Sequence, residues 1–374
     1  MTAVAVAPAA GEARLLARFW RSARGYWTGR GARAAWGLTA LLLVTIVLQL
    51  LTQYGLNVWN RDFFNAIGRR DGTALLHTAL AFLPLALASL GLALVSVWGR
   101  MTLQRGWRCW ISTHLYALWL GRDRVMRLHA VPEPHQAPEY RIAEDARVAT
   151  DLPVDLVLGL LSAVLSAITF IAVLWRVGGA LALPVDGVTV TIPGYLVLAV
   201  VLYSLGVAAA TWLIGRRLTA VMEETKRSEA ELRALGTHLR EMGDGLVPAD
   251  DLAGDTARLH GALGAVIAAW RLYCWQLVRV TVVTHSNFLL APVVALLLCM
   301  PKYLAGTMTL GEAVQAAAAF AVVQTACNWF TDNYPKLAEW TASANRVAEL
   351  LLALDRIDGR EIEPPRTAAT AGRA

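Results

Sequence analysis

Six windows of this chain contain no Asp, Glu, Lys or Arg: 34–60, 72–99, 156–175, 187–215, 280–301 and 313–331. A helix that crosses a bilayer needs about 20 consecutive, mostly apolar residues. Inside the hydrocarbon each backbone polar group has to find its partner within the segment, which favours helices. The windows therefore predict an all-α membrane protein with six transmembrane helices, at 34–54, 73–98, 154–175, 193–214, 280–300 and 311–330. Tryptophans 36, 98, 175, 212 and 329 stand near span ends, where an amphipathic ring sits at headgroup level. Only 17% of the residues are charged, against about 25% in a soluble domain. That excludes a disordered chain, a nucleic-acid-binding tail and most soluble enzymes. The 34–54 run is too long for a signal peptide and follows six arginines, so it reads as an uncleaved span.

The basic residues set the orientation. Lys and Arg number six in 1–33, eight in 99–152, nine in 215–279 and six after the last span, but three, one and one in the intervening segments. Alternate segments thus hold 29 of 34, which predicts a multi-pass protein with both termini in the cytoplasm. The same bias accounts for a net charge of +6 without any nucleic-acid partner.

Two cytoplasmic connections are long and read as helix. Residues 99–130 carry the apolar run Cys109–Gly121 and no proline. In 215–242, Leu218, Val221, Met222, Leu232, Leu235 and Leu239 form a helical stripe. About 28 residues extend a helix roughly 40 Å. Breakers end both, at Val131-Pro-Glu-Pro with Pro138 and at Gly243-Asp-Gly with Pro248, with Asp250 or Asp251 as the next helix cap. The expected organisation is a tail and interfacial amphipathic helix in 1–33, a six-helix transmembrane domain in 34–355 and a disordered tail in 356–374. Within the first, 12–28 interleaves Leu, Phe, Trp and Tyr with four arginines, as a helix on the inner leaflet does. Residues 1–10 are expected to be disordered as well.

Five motifs narrow the family: LNVWNRDFFNAI (56–67), YRIAEDAR (140–147), KRSEAELR (226–233), AGTMTLGEAVQ (305–315) and WFTDNYPKLAEW (329–340). Together with the six spans they resemble the membrane domain of exporter-type ABC transporters. The resemblance is to the branch that joins the SbmA/BacA peptide-uptake proteins to the YddA-like and peroxisomal-type ABC half-transporters. It runs from about residue 35 to 355. It implies a homodimer with a central cavity that moves a peptide-like or amphipathic solute by alternating access. The ABC members carry an ATPase domain, but this sequence has no GxxxxGK[ST] loop to cradle phosphate. The expectation is a permease, not itself an enzyme, with no cofactor of its own and ATP engaged only through a separate ATPase subunit. The alternative is a stand-alone, proton-driven importer like SbmA/BacA. The RIAED form at 141–145 is closer to the ABC members, and SbmA's extra N-terminal span has no counterpart.

Three residue groups are candidates for function. Arg141, Glu144 and Asp145 lie where the resemblance places the contact with an ATPase, and they serve either to dock it or to brace the hairpin internally. Gln324, Asn328 and Asp332, at i, i+4 and i+8, share one helix face. They line a watery pathway or join two helices by hydrogen bonds. Asp155, Glu223, Glu224 and Glu312 stand at span edges as proton-relay candidates or as ordinary boundary charges. His77 and His285 lie within spans, where a lone histidine is usually packed and hydrogen-bonded. Four cysteines without CxxC spacing, and the lack of HExxH or GxSxG, indicate no metal site and no catalytic constellation.

Overall fold

The computed structural model describes residues 8–29, 31–121, 124–129, 137–185, 188–244 and 252–362. Among the described residues six helices are long and apolar enough to cross a membrane. Ten helices and a hairpin follow in order: α1 (Pro8–Ala23), α2 (Gly25–Thr28), α3 (Ala32–Arg69), α4 (Gly72–Leu120), α5 (Arg124–His129), α6 (Pro138–Tyr140), a π-helical turn (Arg141–Asp145), α7 (Ala146–Gly178), strands β1 (Ala180–Val185) and β2 (Val188–Pro193), α8 (Tyr195–Gly243), α9 (Leu252–Leu304) and α10 (Leu310–Ile362). α3, α4 and α7 to α10 carry the six predicted spans, and α4 and α8 continue as the two predicted extensions. The breaker segments at 131–134 and 248–251 fall outside the described residues, as do 1–7 and 363–374 of the expected tails.

Several boundaries differ from expectation. The tail predicted to begin at 356 is helical as far as Ile362, and helix α1 already starts at Pro8. α3 continues through the first motif to Arg69, so the first connection shrinks to Arg70 and Asp71. Arg70 takes a left-handed conformation (φ 56°) that turns the chain. Asp71 caps α4 by accepting bonds from the backbone N–H of Thr73 and Ala74, both at 3.0 Å. The β1–β2 hairpin was not anticipated; it pairs Val185 with Val188 across the two intervening residues.

The chain divides into two compact units, and α3, α4, α7 and α10 contribute to both. The first comprises residues up to 59, 76–166 and from 332 onward. Its core is built around α4, where Leu103, Trp107, Ile111 and Leu115 recur every four residues and so point one way. Ile142 from the π-helical turn and Ala146 and Ala149 from the start of α7 pack in the same core, as do Ala344, Val347 and Leu351 from α10. α1 adds Phe19 and Ala23, both fully buried. Part of the apolar face of α1 thus packs on protein, while Trp20 is 40% exposed. Arg18 ties α1 to α10 by donating from Nε to Asp355 at 2.9 Å and from a second nitrogen at 2.8 Å.

The second unit comprises residues 60–75 and 167–331. Here α8 and α9 run antiparallel. Near the hairpin end the Tyr195 hydroxyl donates to the Leu298 carbonyl at 3.1 Å. Toward the far end the Gln276 carboxamide donates to the Ile214 carbonyl. Lys302 anchors the end of α9 to the Gly178 carbonyl at 2.6 Å. The outer faces of the spans are greasy. Leu76, Leu80, Leu83, Leu87, Leu90 and Leu94 on α4 are all exposed, and so are Trp36, Trp98, Trp175 and Trp212. An apolar stripe with tryptophans near its ends is what a lipid environment selects.

Candidate functional site

The π-helical turn is the first site where sequence motif and geometry meet. Five residues, RIAED, form it, and such turns insert an extra residue that re-aims side chains. Asp145 is 2% exposed and accepts from two guanidiniums. Arg141 reaches it at 2.8 Å and Arg346 of α10 at 2.6 Å. Arg346 also donates to Ser343 Oγ at 2.9 Å. Burial pushes the Asp145 carboxyl up, and the guanidiniums of Arg346 and Arg141 outweigh it, holding the group below the usual aspartate range. Glu144 faces the other way. It is 43% exposed and pairs with Arg147 one turn on; the hydrogen bond from Arg147 holds its carboxyl low. The motif therefore splits. Asp145 and Arg141 form an internal brace between the π turn and α10, while Glu144 stays on the surface.

The second site lies along α10. Gln324 is 5% exposed, and its Nε2 has no hydrogen-bond partner among the described residues. Asn328 Oδ1 is likewise buried and unpartnered. Two further polar groups of the second unit share this condition, Ser204 Oγ on α8 and Asn287 Oδ1 on α9. The pairings of 195 with 298 and of 214 with 276 put 204 and 287 at about one level of the α8–α9 pair. Tyr203 meets Phe320 of α10, one turn from Gln324, with ring centroids 5.7 Å apart and planes tilted by 59°. Four unsatisfied polar atoms thus sit within spans, where hydrocarbon offers them nothing. Ser204 and Asn287 were missed from the sequence, although a lone polar residue in an apolar window was the available signal. Asp332, third of the stripe, belongs to the first unit's part of α10.

The carboxylates at span edges have varied surroundings. Asp155 accepts from Gln104 Nε2 at 2.9 Å and lies 3.4 Å from Arg100, joining α7 to α4. Glu312 closes a capping box: it accepts from the Thr309 N–H at 2.8 Å, while Thr309 Oγ1 accepts from the Glu312 N–H at 3.2 Å. Glu223 and Glu224 are exposed on the α8 extension. Asp155 belongs to the first unit and the other three to the second. His77 and His285 are exposed on the chain rather than packed inside it, with His285 stacked on Phe288.

Two of the motifs do converge. Asn65 in 56–67 accepts through Oδ1 from the backbone N–H of Gly311 in 305–315 at 2.9 Å. A Cβ on residue 311 would fall 2.0 Å from the Arg61 carbonyl, so only glycine permits this approach.

Comparison with known proteins decides the family. The model of ABC transporter transmembrane region 2 matches residues 28–244, more than half of the chain. The chain belongs to this family. It is thus a multi-pass protein carrying an ABC-type membrane transporter region. It is 25% identical over 345 residues to the inner membrane ABC transporter ATP-binding protein YddA of Escherichia coli K12, covering 90% of this chain and 60% of that one. It is 27% identical over 279 residues to an ABC transporter ATP-binding protein of Synechocystis, covering 70% of this chain and 37% of the relative. A Haemophilus influenzae ABC transporter ATP-binding protein is 20% identical over 333 residues, covering 87% and 55%. The chain spans at most about 60% of these relatives' lengths.

Proposed function

We propose that the chain is the permease part of an ABC-type transporter in a bacterial inner membrane. Two copies surround a central pathway, alternate between inward- and outward-open states and move a peptide-like or amphipathic solute. An ATPase on a separate chain drives the cycle. The ATP-binding relatives support ATP as the energy source. The observation that carries the solute reading is the set of unfilled amide and hydroxyl groups at Gln324, Asn328, Ser204 and Asn287. Neutral donors and acceptors of this kind match the N–H and C=O groups of a peptide backbone. The exposed Glu144–Arg147 pair is the proposed docking point for the ATPase.

Transport of a dansyl-labelled hexapeptide mixture into everted and right-side-out vesicles tests this. ATP depletion is expected to abolish accumulation in one orientation, and an uncoupler to leave it largely intact. The reverse outcome would establish the proton-driven alternative. Asn328→Leu is expected to slow transport or change which peptides are carried, with an unchanged melting temperature. Unaltered transport with a lower melting temperature would instead make the stripe a helix–helix contact, where such bonds contribute about 1–2 kcal/mol.

Orientation is tested separately by single cysteines in a cysteine-free background. A membrane-impermeant maleimide is expected to reach residue 237 only from the cytoplasmic side and residue 191 only from outside; both positions are exposed. Labelling of 237 from outside would reverse the proposed topology.

A further inference from the structure

Toward the far end of the α8–α9 pair the two helices part around a cleft of about 500 Å³. Arg217 and Val221 line it from α8, and Leu272, Trp275, Gln276 and Arg279 from α9. Its size falls within the roughly 300–1,000 Å³ of small-molecule sites.

The depth of this cleft follows from three observations. The hydrogen bond from Gln276 to the Ile214 carbonyl puts residues 276 and 214 at one level. Trp212 and Trp275, within a turn of that level, are 64% and 62% exposed, as rings at a water–lipid boundary are. The charge-free windows end at 215 and resume at 280. At 1.5 Å per residue, Arg279 lies about 4–5 Å to the bilayer side of the level and Arg217 as far to the water side. Guanidiniums from two helices therefore enter one concavity at the depth of lipid phosphates.

Their charges are uncompensated. Among the described residues neither Arg217 nor Arg279 has a carboxylate within 4.0 Å. Arg279 has only Gln276 Oε1, at 3.5 Å. The neighbouring Arg216 behaves differently: it lies over the Trp212 ring at 5.6 Å. Arginines beyond a span commonly snorkel to bulk headgroups. That does not explain why two of them, from different helices, share one cleft walled by an indole and aliphatic side chains.

We propose that the cleft binds the headgroup of an anionic phospholipid from the adjoining leaflet. Arg217 and Arg279 present N–H forks to its phosphate oxygens, and Trp275 and Leu272 cover the apolar flank. Basic clefts between spanning helices suit anionic headgroups in this way. A choline headgroup adds a cation that two unpaired arginines repel, so zwitterionic lipid binds less well.

Native mass spectrometry of the 374-residue chain, titrated with dioleoyl phosphatidylglycerol or dioleoyl phosphatidylcholine, tests the proposal. Phosphatidylglycerol is expected to bind about tenfold or more tightly than phosphatidylcholine. R217Q/R279Q is expected to weaken phosphatidylglycerol about thirtyfold, roughly fivefold for each arginine, and to leave phosphatidylcholine unchanged. R217K/R279K keeps the charge and is expected to recover most of the affinity, which controls for folding. Millimolar inorganic phosphate is not expected to displace the lipid. Four results would each overturn the proposal: equal binding of the two lipids by the wild type, unaltered phosphatidylglycerol binding by R217Q/R279Q, displacement by phosphate, or loss of a dimeric species in R217Q/R279Q with lipid adducts unchanged. The third would make the cleft a free-anion site, and the fourth would show that a second copy of the chain covers it.

Discussion

Replacing Trp107 with alanine is expected to destabilise the detergent-solubilised chain by about 3–5 kcal/mol, the usual loss for a large buried aromatic. Trp107 is 1% exposed at the middle of the α4 stripe. It stacks on Trp20 of α1 at 6.1 Å and meets Trp27 of α2 edge-on at 4.9 Å. Its Nε1 donates to the Ala23 carbonyl at 3.3 Å, at the end of α1. One side chain thus carries both the packing and the polar tie that seat the N-terminal helices. The loss is expected to be local as well as global. Trypsin should cut at Arg21 or Arg24 in Trp107→Ala far faster than in the wild type, and Trp107→Phe should fall between the two. Wild-type resistance at both arginines in the alanine variant would show that α1 is held by other contacts.

Asp145→Asn is expected to cost about 2–3 kcal/mol. Removing one partner from a buried ion pair costs about 3–5 kcal/mol. The lower figure applies because Arg346 is 37% and Arg141 19% exposed, so water relieves part of their loss. Glu144→Gln, one residue away in sequence but on the surface, is expected to leave the melting temperature unchanged and to weaken co-purification of an ATPase. The pH dependence has a definite sign. A carboxyl held below its ordinary range contributes stability that is complete above the unfolded value, near 3.8 for aspartate. That contribution is lost as pH falls through the lowered folded value. The difference between wild type and Asp145→Asn should therefore be constant from pH 7 to pH 5 and should shrink only in stronger acid. A difference that fades between pH 7 and pH 5 would mean that the guanidiniums do not hold Asp145 as described.

The spans and the long α4 and α8 extensions were legible because apolar windows and helical stripes are local signals. The brace was not. Nothing near Asp145 in sequence announces Arg346, which lies 201 residues away. Amphipathicity in 12–28 marked an apolar face, but such a face does not state which of its residues pack on protein; Phe19 and Ala23 do, while Trp20 is exposed. The β hairpin had a signal that went unused, Asp186-Gly187 between two runs rich in valine and threonine. The α10 stripe was found by spacing. Its companions Ser204 and Asn287 sit on other helices, and only tertiary structure sets them at a common level.

The two-residue connection at Arg70–Asp71 has a mechanical consequence. A link this short, pinned by an Asp71 cap, makes the end of α3 and the start of α4 a single corner. The bond between Asn65 and Gly311, with backbone against backbone at residue 61, fastens the first turn of α10 to the same corner. Three helix ends then lack the slack to splay separately. Close-packed contacts of this kind transmit displacement rather than absorb it. Motion at that end must carry the corner as one lever arm, and the compliance has to reside in other segments.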